Sequence, residues 1–344
     1  MNGKQRRRRG QASEEGEHSH QRCAPHECTG TDLAARLRAR DLSAAPAVLN
    51  LLESTHPDDR ERAAALSRAL SPRELGGEAD GHIIGITGPP GAGKSTLLSA
   101  LIGHWRACGK TIAVLAVDPS SRRSGGSLLG DRARIEVDPS DGGVFIRSSA
   151  AGERLGGLAP STRAAAGTLA VAFDVVVIET VGVGQAETEV ADVADTVAVV
   201  VQPGGGDLLQ FLKAGIMEIP DVIVVTKADL GQIAASARRD VSAALRTLGA
   251  RATSVHAVSS LPPPHGIDEL AQSLSEHQRG ARLAARRLRA RRAGALDEFA
   301  REHGNRGMRA LGGRGAGERL LCEQDPDLDI AALVTVLEQA AART

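Results

Sequence analysis

The chain has 344 residues, and its 42 acidic and 42 basic side chains give a formal net charge of zero. A balanced charge provides no overall field toward nucleic acid or an anionic membrane, and an aromatic content of 1% leaves few rings for base stacking. No apolar run approaches the roughly 20 residues of a membrane-spanning helix. Four cysteines do not make a disulfide framework in a chain this long. We therefore expect a reduced, cytoplasmic protein without nucleic acid or membrane partners.

Residues 1–30 are polar and charged, and we predict that they form a disordered head. Five side chains of types that commonly bind soft metal ions lie within 11 residues of this head: His18, His20, Cys23, His26 and Cys28. Their spacing fits no standard zinc pattern, and Pro25 interrupts it. Unused side chains on a flexible tail are the favoured interpretation, and a metal site is the alternative.

Residues 31–80 carry leucines at three- and four-residue spacings, in "TDLAARLRARDL" and "APAVLNLLES". This periodicity predicts amphipathic helices, with Thr31 and Ser43 as their N-caps. We expect a helical extension that packs on the next domain.

Residues 81–278 alternate short apolar runs with helical stretches. The runs are rich in Val and Ile and predict buried strands: "HIIGIT", "IAVLAV", "GVFIRS", "DVVVIET", "TVAVVVQ", "DVIVVTK" and "TSVHAVS". Helices between successive strands predict right-handed crossovers, and hence an α/β fold with a doubly wound, mostly parallel sheet.

Residues 279–344 form a second helical segment, which begins with the strongly basic "ARLAARRLRARRAGALDEFAREHG". Leu288, Leu296 and Phe299 fall on one side of this helix. Such a helix could contact RNA, but a solvated basic face over an oligomer seam is the favoured interpretation.

The segment "GITGPPGAGKSTL" matches the P-loop pattern, with a predicted strand before it and a predicted helix after it. Its backbone N–H groups and the helix N-terminus would hold phosphates. Lys94 would reach the β- and γ-phosphates, and the Ser95 hydroxyl would bind Mg²⁺. The predicted nucleotide contacts here are Gly88, Pro89, Pro90, Gly91, Ala92, Gly93, Lys94, Ser95 and Thr96.

Three carboxylates follow or end predicted strands near this loop: Asp118, Asp131 and Glu179. Carboxylates gathered at one phosphate site would repel each other without a cation. We therefore predict a Mg²⁺ site among them, with a loop or cap carboxylate as the alternative for Asp131.

The segment "TKAD" predicts the base specificity, because Asp229 can accept hydrogen bonds from N1–H and the 2-amino group of guanine. Adenine lacks both donors and would leave that carboxylate unpaired. The stem of Lys227 can cover the base. Thr226 stands where an asparagine is expected and offers a shorter hydroxyl. Backbone N–H groups at Ser259, Ser260 and Leu261 are expected to serve the guanine oxygen.

Several long segments together resemble one family: "GITGPPGAGKSTL", "VLAVDPSSRRSGGSLLGDRARI", "LGGLAPSTR", "VVIETVGVGQAE", "QPGGGDLLQFLKAGIMEIPDV" and "TKADL". They are similar to the MeaB/ArgK-type GTPases, the G-protein chaperones of adenosylcobalamin-dependent methylmalonyl-CoA mutase. The resemblance runs from about residue 31 to the C-terminus and is densest from 83 to 230. Thr226 departs from the family pattern, and the head lies outside it.

The resemblance implies a G domain of the SIMIBI class, an N-terminal helical extension and a C-terminal helical arm that forms a homodimer. It implies that Asp118, Asp131 and Glu179 hold Mg²⁺ and that segment 119–131 is a switch. A second, partner-coupled segment would be Gly204 to Lys213, with Asp207 and Lys213. The implied role is to gate cofactor loading and to protect or reactivate the mutase, with other acyl-CoA mutases as alternative clients.

The predicted reaction is Mg²⁺-dependent hydrolysis of GTP to GDP and phosphate, slow unless a partner stimulates it. Lys94 would stabilise charge, and Gln185 could position the water or could be a structural loop residue. The alternatives are a nickel-type metal-insertion GTPase, an ATP-dependent small-molecule kinase and a nucleotide sensor without hydrolysis.

Overall fold

A computed structural model describes residues 28–118, 135–150, 158–180, 189–204, 220–250, 252–277 and 281–343. The strands are His82–Thr87 (β1), Ile112–Asp118 (β2), Val144–Ala150 (β3), Val175–Thr180 (β4), Thr196–Val201 (β5), Val222–Val225 (β6) and Ser254–Ala257 (β7). They form one sheet in the order β3-β2-β4-β1-β5-β6-β7. All neighbouring pairs are parallel. The predicted strands and the parallel sheet are confirmed.

The described helices lie before, between and after these strands. They are Gly30–Arg38 (α1), Ala45–Glu53 (α2), Pro57–Ala69 (α3), Pro72–Leu75 (α4), Lys94–Ala107 (α5), Pro160–Leu169 (α6), Gln232–Thr247 (α7), Ile267–Glu276 (α8), Ala281–Ala310 (α9), Arg314–Cys322 (α10) and Ile330–Ala342 (α11). No described helix combines the length and the apolar character needed to cross a bilayer.

The sheet is buried on both faces because side chains alternate along each strand. Ile83 lies in the core under α1–α3, α6 and α7. The next residue, Ile84, lies in the core under α5 and α8. This arrangement explains why the strands read as continuous apolar runs rather than as alternating ones.

The first helices pack on the sheet as expected, since Leu37 and Leu49 lie in the same core as Ile83. Their predicted caps are wrong. Thr29 caps α1 in a capping box with Asp32, and Asp41 caps the short 3₁₀ helix that contains Ser43. Thr31 and Ser43 lie inside the first turns and not before them.

The last helices, α9 to α11, share a small core of their own: Ala295, Leu296, Phe299, Leu321, Leu333, Val334 and Leu337. The α9 helix is interrupted at Gly304, where φ is 59°.

The basic face of α9 is not simply solvated. Arg286, Arg287 and Arg291 form ion pairs with carboxylates elsewhere in the chain: Asp221, Asp195 and Glu78. The prediction of a solvated face is therefore wrong for these three arginines. Their charges hold the arm against the rest of the protein, which weakens the RNA interpretation.

Candidate nucleotide-binding site

The predicted site residues that the structure describes lie at the carboxyl ends of the parallel strands. The phosphate loop follows β1, Glu179 lies near the end of β4, and Thr226 follows β6. Ser259 comes two residues after the end of β7. Open parallel sheets bind ligands at this edge, so the topology brings together segments that are far apart in sequence.

The phosphate loop is shaped by its glycines. Gly88 has a φ of 142°, and a β-carbon there would lie 2.1 Å from the Val200 carbonyl oxygen. Gly93 has a φ of 88° and immediately precedes α5. These are backbone conformations that other residues rarely adopt. The loop therefore curls tightly against the end of β5 and presents the N-terminus of α5, which favours anions.

Lys94 lies across this loop. Its ammonium donates hydrogen bonds to the carbonyl oxygens of Gly88 at 2.7 Å and Pro89 at 3.1 Å, and the side chain is buried. A cation held beside backbone N–H groups and a helix N-terminus is suited to the charge of a nucleotide's phosphates.

A hydroxyl–carboxylate pair lies beside the loop. Ser95 Oγ donates a hydrogen bond to Glu179 Oε1 at 2.8 Å. Glu179 is buried and pairs in register with Ile86 at the end of β1. Hydroxyl and carboxylate oxygens are the donors that Mg²⁺ prefers, so the chemistry of these two residues fits the predicted ion.

The turn predicted to bind the base, here called the base-binding turn, lies between the ends of β6 and β7. Asp229 lies in a short 3₁₀ helix, Ala228–Leu230, and its Oδ1 accepts a hydrogen bond from Ser259 Oγ at 3.0 Å. The backbone N–H of Ala228 donates to the Val258 carbonyl at 3.0 Å. These contacts orient the exposed carboxylate of Asp229 at the carboxyl-terminal edge of the sheet, where a purine would lie.

Two contacts in this region were not predicted from the sequence. The side chain of Ser259 contacts Asp229. Its backbone N–H donates to the His265 carbonyl at 3.0 Å, so this N–H is not available to the guanine oxygen, contrary to the prediction for Ser259. Gln202, which follows β5, accepts a hydrogen bond from Lys227 Nζ at 2.6 Å. The sequence signal that could have identified Gln202 is its position at the end of a predicted strand.

Thr226 links the two loops. Its hydroxyl lies 2.6 Å from the Ala92 carbonyl oxygen and 3.1 Å from that of Val201. The side chain is buried, with 3% of its surface exposed. The hydroxyl is shorter than an asparagine amide, but it does reach the phosphate loop.

For several predicted site residues the structure gives no side-chain contacts at the site. Asp131, Gln185, Asp207 and Lys213 lie outside the described residues. Asp118 ends β2, next to β4, because Ala116 pairs in register with Glu179. Of the five-residue Cys/His cluster, Cys28 is described, and its side chain is buried in the core with α1 to α3.

The comparison with protein families decides the assignment. Residues 45–307 match the model described as "Methylmalonyl Co-A mutase-associated GTPase MeaB". The chain belongs to the MeaB family. It is a P-loop GTPase, and GTPases of this family bind guanine nucleotides.

Individual relatives agree with this assignment. A protein of Pyrococcus abyssi named as a GTPase is 42% identical over 268 residues, which cover 74% of this chain and 79% of the relative. The mouse "Methylmalonic aciduria type A homolog, mitochondrial" is 42% identical over 199 residues, 56% of this chain and 48% of that protein. Among solved structures, a "LAO/AO transport system kinase" has a TM-score of 0.61 and 27% identity, covering 92% of this chain and 99% of that one.

Proposed function

We propose that this MeaB-family GTPase uses GTP binding and hydrolysis to gate cofactor loading into an adenosylcobalamin-dependent acyl-CoA mutase. Methylmalonyl-CoA mutase is the proposed client, which the GTPase would also protect or reactivate. The match of residues 45–307 to a family described as mutase-associated carries this proposal. The name of the mouse relative, which refers to methylmalonic aciduria, supports the same class of client.

Several described residues could supply parts that phosphoryl transfer needs. Lys94 and the backbone N–H groups of the phosphate loop would stabilise negative charge on the transferred group. Ser95 and Glu179 would hold Mg²⁺, with Asp118 and Asp131 as the further proposed ligands. When bound, the ion would neutralise phosphate charge. Gln185 is the proposed water-positioning residue.

Coupling to the client is proposed for two segments, 119–131 and 204–213, with Asp207 and Lys213 in the second. Switch loops of this kind change arrangement with the state of the nucleotide. Because the partner would complete the site, we expect slow turnover by the isolated protein. The helical arm 279–344 is the proposed homodimer interface.

GTP turnover by the full chain, alone and with purified apo methylmalonyl-CoA mutase, tests this function. We expect a several-fold stimulation by the mutase, corresponding to about 1 kcal/mol or more of barrier lowering. Lys94→Ala should abolish turnover both with and without the mutase, which shows that the measured activity belongs to this site. Unchanged turnover with this mutase and with mutases for other acyl-CoA substrates would refute the proposed client class but not the GTPase activity.

A further inference from the structure

Thr226 uses both of its hydrogen-bond donors within the protein. Carbonyl oxygens only accept, so the single hydroxyl hydrogen is shared between Ala92 at 2.6 Å and Val201 at 3.1 Å. The backbone N–H of the same residue donates to the Val201 carbonyl at 2.9 Å. No donor of Thr226 therefore remains for a bound base.

The side chain also lies close to Gly93 of the phosphate loop. A β-carbon built on Gly93 would lie 3.7 Å from Thr226 Oγ1 and 3.8 Å from its Cβ and Cγ2. The residue thus lies beside Gly93 and is held to the loop by its hydrogen bond to Ala92. It lies directly before Lys227 and the turn that holds Asp229.

We propose that Thr226 is a positioning residue that fixes the distance between the phosphate loop and the base-binding turn, and that it leaves N7 of guanine unread from this position. Guanine presents two acceptors, O6 and N7, on the edge that faces the major groove in a duplex. An asparagine amide has two donor hydrogens and could serve both the protein and N7, whereas a threonine hydroxyl has one. The chain then selects guanine through its N1–H and 2-amino donors. This inference rests on Asp229 as the proposed base contact.

The affinities of the full-length protein for GDP and 7-deaza-GDP, measured by calorimetry, test this proposal. The second nucleotide has a C–H in place of N7, and the wild-type protein should bind both within about two-fold, or about 0.4 kcal/mol. Thr226→Val should weaken both by the same factor, about ten-fold or ~1.4 kcal/mol. Thr226→Ser keeps the hydroxyl and should recover most of this loss.

A matched control is available at the opposite edge of the sheet. Thr253 precedes β7, and its hydroxyl donates to the Pro220 carbonyl oxygen at 2.9 Å. Thr253→Val removes the same kind of hydrogen bond far from the phosphate loop, so GDP affinity should be unchanged. Thermal unfolding of each variant checks that it folds.

Two results would overturn the proposal. One is a wild-type protein that binds GDP ten-fold or more tightly than 7-deaza-GDP. The other is a folded Thr226→Val protein that binds GDP as the wild type does. If the wild type instead binds ADP as tightly as GDP, the base contact of Asp229 fails, and the loss in Thr226→Val still decides whether position 226 holds the phosphate loop.

Discussion

Replacing Arg287 by methionine should destabilise the protein strongly, because the arginine neutralises a buried carboxylate. Its guanidinium donates to Asp195 Oδ1 at 2.9 Å and Oδ2 at 2.6 Å, and to the carbonyl oxygens of Ala79 and Gly81. The side chain of Asp195 is fully buried and that of Arg287 is 8% exposed. Removing one partner of a buried ion pair costs about 3–5 kcal/mol, since it leaves an uncompensated charge.

The neighbouring arginine provides the control. Arg286 Nη1 lies 2.9 Å from Asp221 Oδ2, and each side chain is about a quarter exposed (25% and 23%). Arg286→Met should therefore cost about 1 kcal/mol or less. The two substitutions are identical in chemistry and adjacent in the helix, so they differ mainly in the burial of the pair.

Urea unfolding monitored by circular dichroism measures both changes. A double variant, Arg287→Met with Asp195→Asn, should regain part of the lost stability, because the buried charge is then removed as well. Equal losses in the two single variants, or a double variant no more stable than Arg287→Met, would refute this electrostatic reasoning.

Two further predictions concern the core of the sheet and the shape of the phosphate loop. Burial lowers the pKa of His82 from its ordinary 6.5 to about 4, so the unfolded chain binds the proton more readily and stability falls as pH drops from 6.5 toward 4. The free energy of unfolding should be lower by about 2 kcal/mol at pH 5. Urea unfolding at pH 7.5 and 5.0 should show this loss in the wild type. An equal loss in His82→Gln would contradict an origin in His82. Gly88→Ala would place a β-carbon 2.1 Å from a backbone oxygen, and GTP affinity should fall ten-fold or more, about 1.4 kcal/mol. Gly103→Ala, in open space within α5, should leave affinity unchanged and stabilise by up to about 1 kcal/mol; similar GTP affinities for both alanine variants would show that the loop geometry does not require glycine.

The strands and the phosphate loop could be predicted because their signals are local. Each strand is a short run of Val and Ile between helical stretches, and the P-loop pattern specifies a strand before it and a helix after it. The caps of the first helices failed for a related reason. Several Thr, Ser and Asp residues lie near each start, and which one has the extended backbone of a cap depends on the tertiary fold.

The contacts that join distant segments could not be predicted. Thr226 and Ala92 are 134 residues apart, and Arg287 and Asp195 are 92 apart. A run of arginines on one helix predicts a solvated surface, and nothing in the local pattern shows that one of them neutralises a buried aspartate. The first pairing depends on which loops meet at the carboxyl ends of the strands, and the second depends on how α9 packs against the sheet.

The most direct test of the account is the base specificity of Asp229→Asn. The wild-type carboxylate should accept from N1–H and the 2-amino group of guanine, so GDP should bind far more tightly than xanthosine diphosphate, by about 100-fold or more. The variant amide can accept from N1–H and donate to the 2-oxo group of xanthine, so the preference should reverse. An Asp229→Asn protein that still prefers GDP would show that the base is read elsewhere and would contradict the site described for this chain.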